Sequence, residues 1–428
     1  MALGSFSAMR ELALVAGGKI TGLLALFACG VLAARVTGPE QYSLYAAALT
    51  LILLLDGMIG APLDWAMVRF GSLHREEPAR VERMLGGTFR LKLLIALSTG
   101  LIAFILREPL ANALFKTESG SQLIIIIILS TFGLLALRGT AAYLQLNLRF
   151  RTYATLDLVS ACIRLAVILF LMYAGIKTAV PYIAVYGIGA LVTFIVGLII
   201  VSQPYLYSKA PPADDRRSLV RFVGATGAII ILSTISGRAD LLFLTAMNSA
   251  EKAGQYGAAT HLAVMATLLA SYAGVIAQPR VIEYAKQGRL WVLLRMNLIG
   301  GLLVSAVAVP VTIWLLPWLV PLLLGEAFQP SVIILQILII GTCIDLFTMP
   351  VLQTFGIQLC SRATLACEAI VTVIFLLGAP IAAQSGPVAM AWFVTLVRVL
   401  KFCFYAAITL RYINHWDESK TAGTTHEQ

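Results

Sequence analysis

Runs of roughly 20 apolar residues recur along the chain between short polar clusters, and each is long enough to cross the hydrocarbon core of a bilayer. Segmenting on that length predicts twelve helices, over residues 12–36, 41–63, 88–106, 121–145, 153–175, 179–202, 219–244, 253–278, 291–324, 331–355, 364–383 and 387–413. The ninth is long, and Pro310, Pro317 and Pro321 predict that it bends. The eleventh and twelfth form a tight pair at the C-terminal end.

The polar clusters set the orientation, because cytoplasmic loops retain lysine and arginine. With the N-terminus inside, cytoplasmic segments hold 22 of the 31 basic residues, counting Lys92, Arg398 and Lys401 among them. The opposite side holds 5: Arg35, Arg107, Lys116, Lys177 and Lys252. The chain therefore reads as an all-α polytopic membrane protein with an even helix count and both termini cytoplasmic. Composition agrees, with 60% hydrophobic and 12% charged residues against about 25% charged in soluble domains. Anchoring to anionic inner-leaflet lipid accounts for the formal charge of +10, so no nucleic-acid partner is implied. Residues 75–85 predict a short surface helix after Pro78, with Trp65 at the interface. The N-terminal segment carries Glu11 and Lys19 and lacks a short apolar region with a cleavage site, so it reads as the first permanent helix.

Cys29, Cys162, Cys343, Cys360, Cys367 and Cys403 all lie in or at the ends of apolar spans and read as small buried hydrophobes. His74, His261, His415 and His426 are scattered, and no spacing argues for a metal. No cofactor is expected.

Four cations remain inside apolar spans: Lys19, Arg138, Arg164 and Arg238. A cation at that depth costs at least a few kcal/mol and normally faces a bundle interior, a wet cavity or a counter-charge. Lys19 and Arg138 lie close enough to a helix end to snorkel. Arg238 and Asp240 are two residues apart on different helix faces, which disfavours direct pairing. Arg164 sits mid-span, where the bland reading is an ion pair with Asp157 or Asp56. The intramembrane acids Asp56, Asp157, Asp240, Asp345 and Glu368 can serve either as such partners or as sites that couple transport to a proton or Na⁺.

An internal repeat organises the chain. Residues 38–48 and 249–259 align at an offset of 211, with Glu40, Tyr45, Ala47 and Ala48 recurring as Glu251, Tyr256, Ala258 and Ala259. Both copies join the first helix of a six-helix half to its second, as in parallel repeats. Residues 203–217, with Pro204, Pro211 and Pro212, form the linker-like stretch between halves. The expected lobes are 1–208 and 209–428.

The stretch from Ala33 through Gly38-Pro39-Glu40-Gln41-Tyr42-Ser43-Leu44-Tyr45 resembles the first-loop signature of the polysaccharide-biosynthesis flippases, with Ser43 where that family has glycine. Arg238-Ala239-Asp240-Leu241, followed by Ala250 to Tyr256, is similar to the same family's seventh-helix exit, and Asp56-Gly57 with Arg69-Phe70 to the end of its second helix. The resemblance implies membership of the multidrug/oligosaccharidyl-lipid/polysaccharide exporter superfamily, with six plus six helices. It further implies a flippase in the bacterial inner membrane that carries undecaprenyl-diphosphate-linked sugar units by alternating access for exopolysaccharide, O-antigen or capsule. Polysaccharide polymerase and export machinery are the implied partners besides the lipid-linked cargo and membrane lipids.

A diphosphate brings about two negative charges into a low-dielectric slab. Arginine suits such a group because its planar fork binds phosphate oxygens bidentately and stays protonated. Arg164 is then the foremost cargo-binding candidate, with Arg138 and Lys19 toward the loading side and Arg238 toward the exit. Two rivals stand beside this reading. A cation-coupled multidrug exporter of the same superfamily favours an acidic, aromatic cavity, against the cations of the first half. A membrane glycosyltransferase or polymerase calls for a sizeable outer loop, whereas the longest here is about 107–120.

Overall fold

The computed structural model describes residues 2–264, 290–351 and 361–424, apart from Arg75, Leu148 and Ser202. Regular structure among the described residues is helical, and ten stretches are long and apolar enough to cross a membrane. The chain divides into two compact units, residues 1–254 and 255–428.

The first unit opens with α1 (Ala2–Leu55), which is two helices meeting at Gly38. Gly38 has φ 73°, a conformation that glycine adopts without a Cβ penalty, and Pro39 pre-sets the first turn of the next helix. A π-helical turn, Asp56–Gly60, then leads into α2 (Ala61–Leu73). The second predicted helix therefore continues ten residues past its expected end at 63. Asp64 looks like a terminus in the sequence, but its carboxylate is neutralised inside the bundle by Lys92.

The third helix departs from expectation in the same way. In place of a surface helix over 75–85 and a span from 88, one continuous α3 (Pro78–Ile105) starts with proline in its first turn. Arg80, in that first turn, bonds Asp215 at 2.7 Å, which ties it to the start of α8. The remaining helices are α4 (Arg107–Leu114), α5 (Gly120–Leu146), α6 (Phe150–Tyr173), α7 (Ala179–Ile200), α8 (Ala213–Arg238) and α9 (Asp240–Met247). The predicted seventh helix is thus divided at Ala239.

Small residues let these helices approach closely. Gly187 of α7 lies directly on Ser130 of α5, and Gly57 faces Thr234 of α8 so closely that a Cβ would come within 2.7 Å of its methyl. The linker-like stretch is partly core: Tyr205 is buried with Phe89, Met67 and Leu146, and its hydroxyl donates to Gln203 Oε1 at 2.6 Å. Because α8 and α9 pack on α1 and α2, the compact first unit extends past the linker to Gly254. The two repeat copies share one burial pattern, with Tyr45, Ala47, Ala48, Tyr256, Ala258 and Ala259 buried and Glu40 and Glu251 exposed.

A helix over 250–264 (α10) follows, and the rest of the predicted eighth helix lies outside the described residues. The second unit continues with α11 (Leu290–Leu324), α12 (Ser331–Val351), α13 (Ser361–Ser385) and α14 (Pro387–Thr424). α11 carries its three prolines within one helix. Gly386, at φ 114°, is the whole turn between α13 and α14, and Pro387 starts the latter. Cys29, Cys343 and Cys367 are buried as expected of small hydrophobes, but Cys162 and Cys403 are exposed, and Cys360 lies outside the described residues.

Candidate functional site

Arg164 projects from α6 roughly 21 Å along the helix from Phe150, at 1.5 Å per residue. It is 5% exposed. Its guanidinium lies over the Tyr186 ring of α7, 4.1 Å from the centroid. One turn along the same face, Gly189 supplies the slot for the arginine stem: a Cβ there would stand 2.6 Å from Arg164 Cγ and 3.0 Å from Nε. Cys29 and Tyr45 of α1 are further electrostatic neighbours.

Nothing in the described residues neutralises this cation. Arg164 Nε is buried without a hydrogen-bond partner, and no carboxylate forms an ion pair with it. The bland expectation of an Asp56 or Asp157 partner does not hold, because Asp56 faces a different arginine and Asp157 forms no ion pair with Arg164. A cation–π contact is worth about 0.5–2 kcal/mol, less than the several kcal/mol lost when a charge leaves water.

Arg138, on α5, has Asp56 as its ion-pair partner, with Nε 3.6 Å from Oδ2. Its side chain is 51% exposed, yet its electrostatic neighbours, Asp56, Tyr186, Tyr153 and Asp64, come from four different segments. The cation therefore lies where the π turn, α2, α6 and α7 come near one another. Tyr186 is common to both arginines and joins them into one basic surface.

Sequence reasoning missed the next pair. Lys92 of α3, assigned above to a cytoplasmic segment, is 0% exposed and bonds both oxygens of Asp64, at 2.7 and 3.0 Å. Its apolar neighbours, Leu91, Leu93 and Leu94, were the available signal, masked by Arg90 two residues earlier.

Lys19 lies on α1, but its side chain is outside the described residues. Arg238 ends α8, exposed, and Asp240 is buried at the start of α9 beyond the break at Ala239. Asp157 is half-buried on α6.

The second unit carries two ion pairs of its own. Arg398 of α14 bonds Asp345 at 3.3 Å and Thr342 at 3.1 Å. Lys401, nearly one turn on, bonds Glu368 Oε1 at 2.7 Å, and the same oxygen accepts the Tyr405 hydroxyl at 2.7 Å. Arg398 and Lys401 therefore sit midway along a helix long and apolar enough to cross a membrane, paired inside their unit rather than placed in a polar loop. With Lys92 they leave the cytoplasmic count of 22, without reversing its excess over 5. Among the described residues no three histidine, cysteine or acidic side chains come together as metal ligands.

Comparison with solved structures places the fold among transporters. The lipid II flippase MurJ, in an inward closed conformation, superposes with a TM-score of 0.72 at 13% identity, over 93% of this chain and 86% of that one. An inward-facing multidrug resistance MATE transporter gives 0.72 at 12% identity, over 93% and 96%. A transporter of the MOP superfamily from Pyrococcus furiosus, described by the reverse polarity of its binding pocket, gives 0.63 at 11% identity, over 94% of each chain. No curated protein sequence matches significantly. The model of the polysaccharide biosynthesis protein family matches residues 9–284. With that match over more than half its length, the chain belongs to the polysaccharide biosynthesis protein family, as a multi-pass membrane protein whose fold is like that of the transporters above.

Proposed function

We propose that this protein is a flippase of the bacterial inner membrane that moves undecaprenyl-diphosphate-linked oligosaccharide units by alternating access, for the assembly of a surface polysaccharide. The observation that carries the reading is Arg164, a buried mid-span cation with an aromatic ledge and, among the described residues, no carboxylate partner. A buried charge without a partner is costly, and an incoming phosphate removes that cost while gaining charge-assisted hydrogen bonds.

Arg138 adds a second fork within the same basic surface, and Lys19 and Arg238 serve as peripheral contacts along the route. Asp56 and Asp345 act as ion-pair partners in this account, which their positions opposite Arg138 and Arg398 support. Asp157 and Asp240 are left as candidates for coupling to a cation gradient. A drug exporter moving hydrophobic cations fits less well, since the first unit offers such cargo an uncompensated positive charge.

The test is complementation of a deletion strain. Arg164→Ala, at wild-type abundance in the membrane, should restore no surface polysaccharide. Full restoration removes Arg164 from the cargo site, and restored drug resistance with unchanged polysaccharide points to the exporter instead.

A further inference from the structure

Three acid–base pairs of the first unit differ in how tightly they are made. Lys92 and Asp64 form two bonds of 2.7 and 3.0 Å around a fully buried ammonium, a geometry that holds the pair together permanently. Arg80 and Asp215 form two bonds of 3.0 and 2.7 Å. Arg138 and Asp56 stand 3.6 Å apart, outside the range of a direct hydrogen bond. Arg138 makes no other ion pair or hydrogen bond among the described residues, and half its side chain is exposed.

Asp56 is held on the other side of the gap. It is buried, and its Oδ1 has no hydrogen-bond partner. It begins the π-helical turn Asp56–Gly60, a rare geometry found disproportionately at functional positions. Gly60 gives the carboxylate its room: a Cβ there would come within 2.9 Å of Oδ1. The turn thus presents a desolvated anion toward an arginine without letting the pair close.

We propose that Asp56 is a resident counter-ion that the anionic headgroup of the cargo displaces from Arg138, so that it lowers cargo affinity and speeds release. This deepens the flippase reading and rests on it. Without cargo, Asp56 compensates Arg138 through space; with cargo, a phosphate oxygen takes the arginine's N–H groups and the carboxylate is left as a repelling neighbour. Repulsion between the two anions then keeps binding reversible. Asp56 is a positioning residue here, acting on cargo through Arg138.

The sign of the effect separates this role from a structural one. In the full-length protein purified into nanodiscs, with undecaprenyl diphosphate as the probe and undecaprenol as the uncharged control, Asp56→Asn should bind the diphosphate about tenfold more tightly than wild type. Asp56→Glu, which extends the carboxylate across the gap, should bind it severalfold more weakly. In proteoliposomes Asp56→Asn should lower both the apparent KM and the turnover number. In an Arg138→Gln background the Asp56→Asn effect on affinity should vanish. Equal affinity, or weakening by both substitutions, overturns the counter-ion role while leaving the flippase reading standing. Failure of the wild type to prefer the diphosphate over undecaprenol overturns both.

Discussion

In the second unit, each of the two half-buried cations described above has a carboxylate at contact distance: Lys401 meets Glu368 at 2.7 Å and Arg398 meets Asp345 at 3.3 Å. Of the three helix cations compared in the first unit, Lys92 does, on Asp64, while Arg138 stands off from Asp56 and Arg164 rests on an aromatic ring. Both units bury basic residues in helices of similar hydropathy, so burial alone does not mark a site. The difference lies in compensation. A paired charge costs little once formed and costs much to break, whereas an uncompensated one is stabilised by any anion that reaches it.

The sharpest way to break the comparison is to make a paired cation unpaired. Lys92→Met strands a half-buried Asp64, and Lys401→Met strands Glu368, which is 0% exposed; each should cost about 3–5 kcal/mol. Thermal unfolding of the purified protein in detergent, with membrane abundance, reads this. The doubles Lys92→Met/Asp64→Leu and Lys401→Met/Glu368→Leu should recover most of the lost stability, since removing a whole pair is nearly neutral. If the Lys401 double is stable yet transports nothing, the second unit's pair has a working role and the contrast between units fails.

A smaller effect is expected at Tyr186. Tyr186→Leu removes the ring beneath Arg164 and should weaken diphosphate binding by about three- to tenfold, in line with a cation–π term of 0.5–2 kcal/mol, while Tyr186→Phe should stay within about twofold of wild type. Binding to undecaprenyl diphosphate in nanodiscs distinguishes the two. Equal losses in both would assign the effect to the hydroxyl rather than to the ring face.

Much of this was legible in the sequence, for identifiable reasons. Span length marked the helices, and Gly38-Pro39 marked the first break, because only glycine followed by proline reads so clearly as a stop and a start. Arg164 stood out because Ala161, Leu165, Ala166 and Val167 surround it with apolar residues. Lys92, Arg398 and Lys401 did not, because each lies near another basic residue or near a predicted helix end and so resembled an interfacial cluster. Their depth is set by α3 starting at Pro78 and α14 running on to Thr424, lengths that periodicity does not fix. Which carboxylate meets which cation was not legible at all. Asp64 and Lys92 are 28 residues apart, and only packing of α2 on α3 joins them.

The central claim is that Arg164 is left uncompensated to receive an anionic headgroup. The direct measurement is the affinity of purified Arg164→Gln for undecaprenyl diphosphate, beside its thermal stability. The account predicts binding at least tenfold weaker than wild type with a fold as stable or more so, since the substitution removes a buried charge that nothing among the described residues neutralises. Unchanged affinity together with a marked loss of stability would contradict it, and would make Arg164 a structural residue.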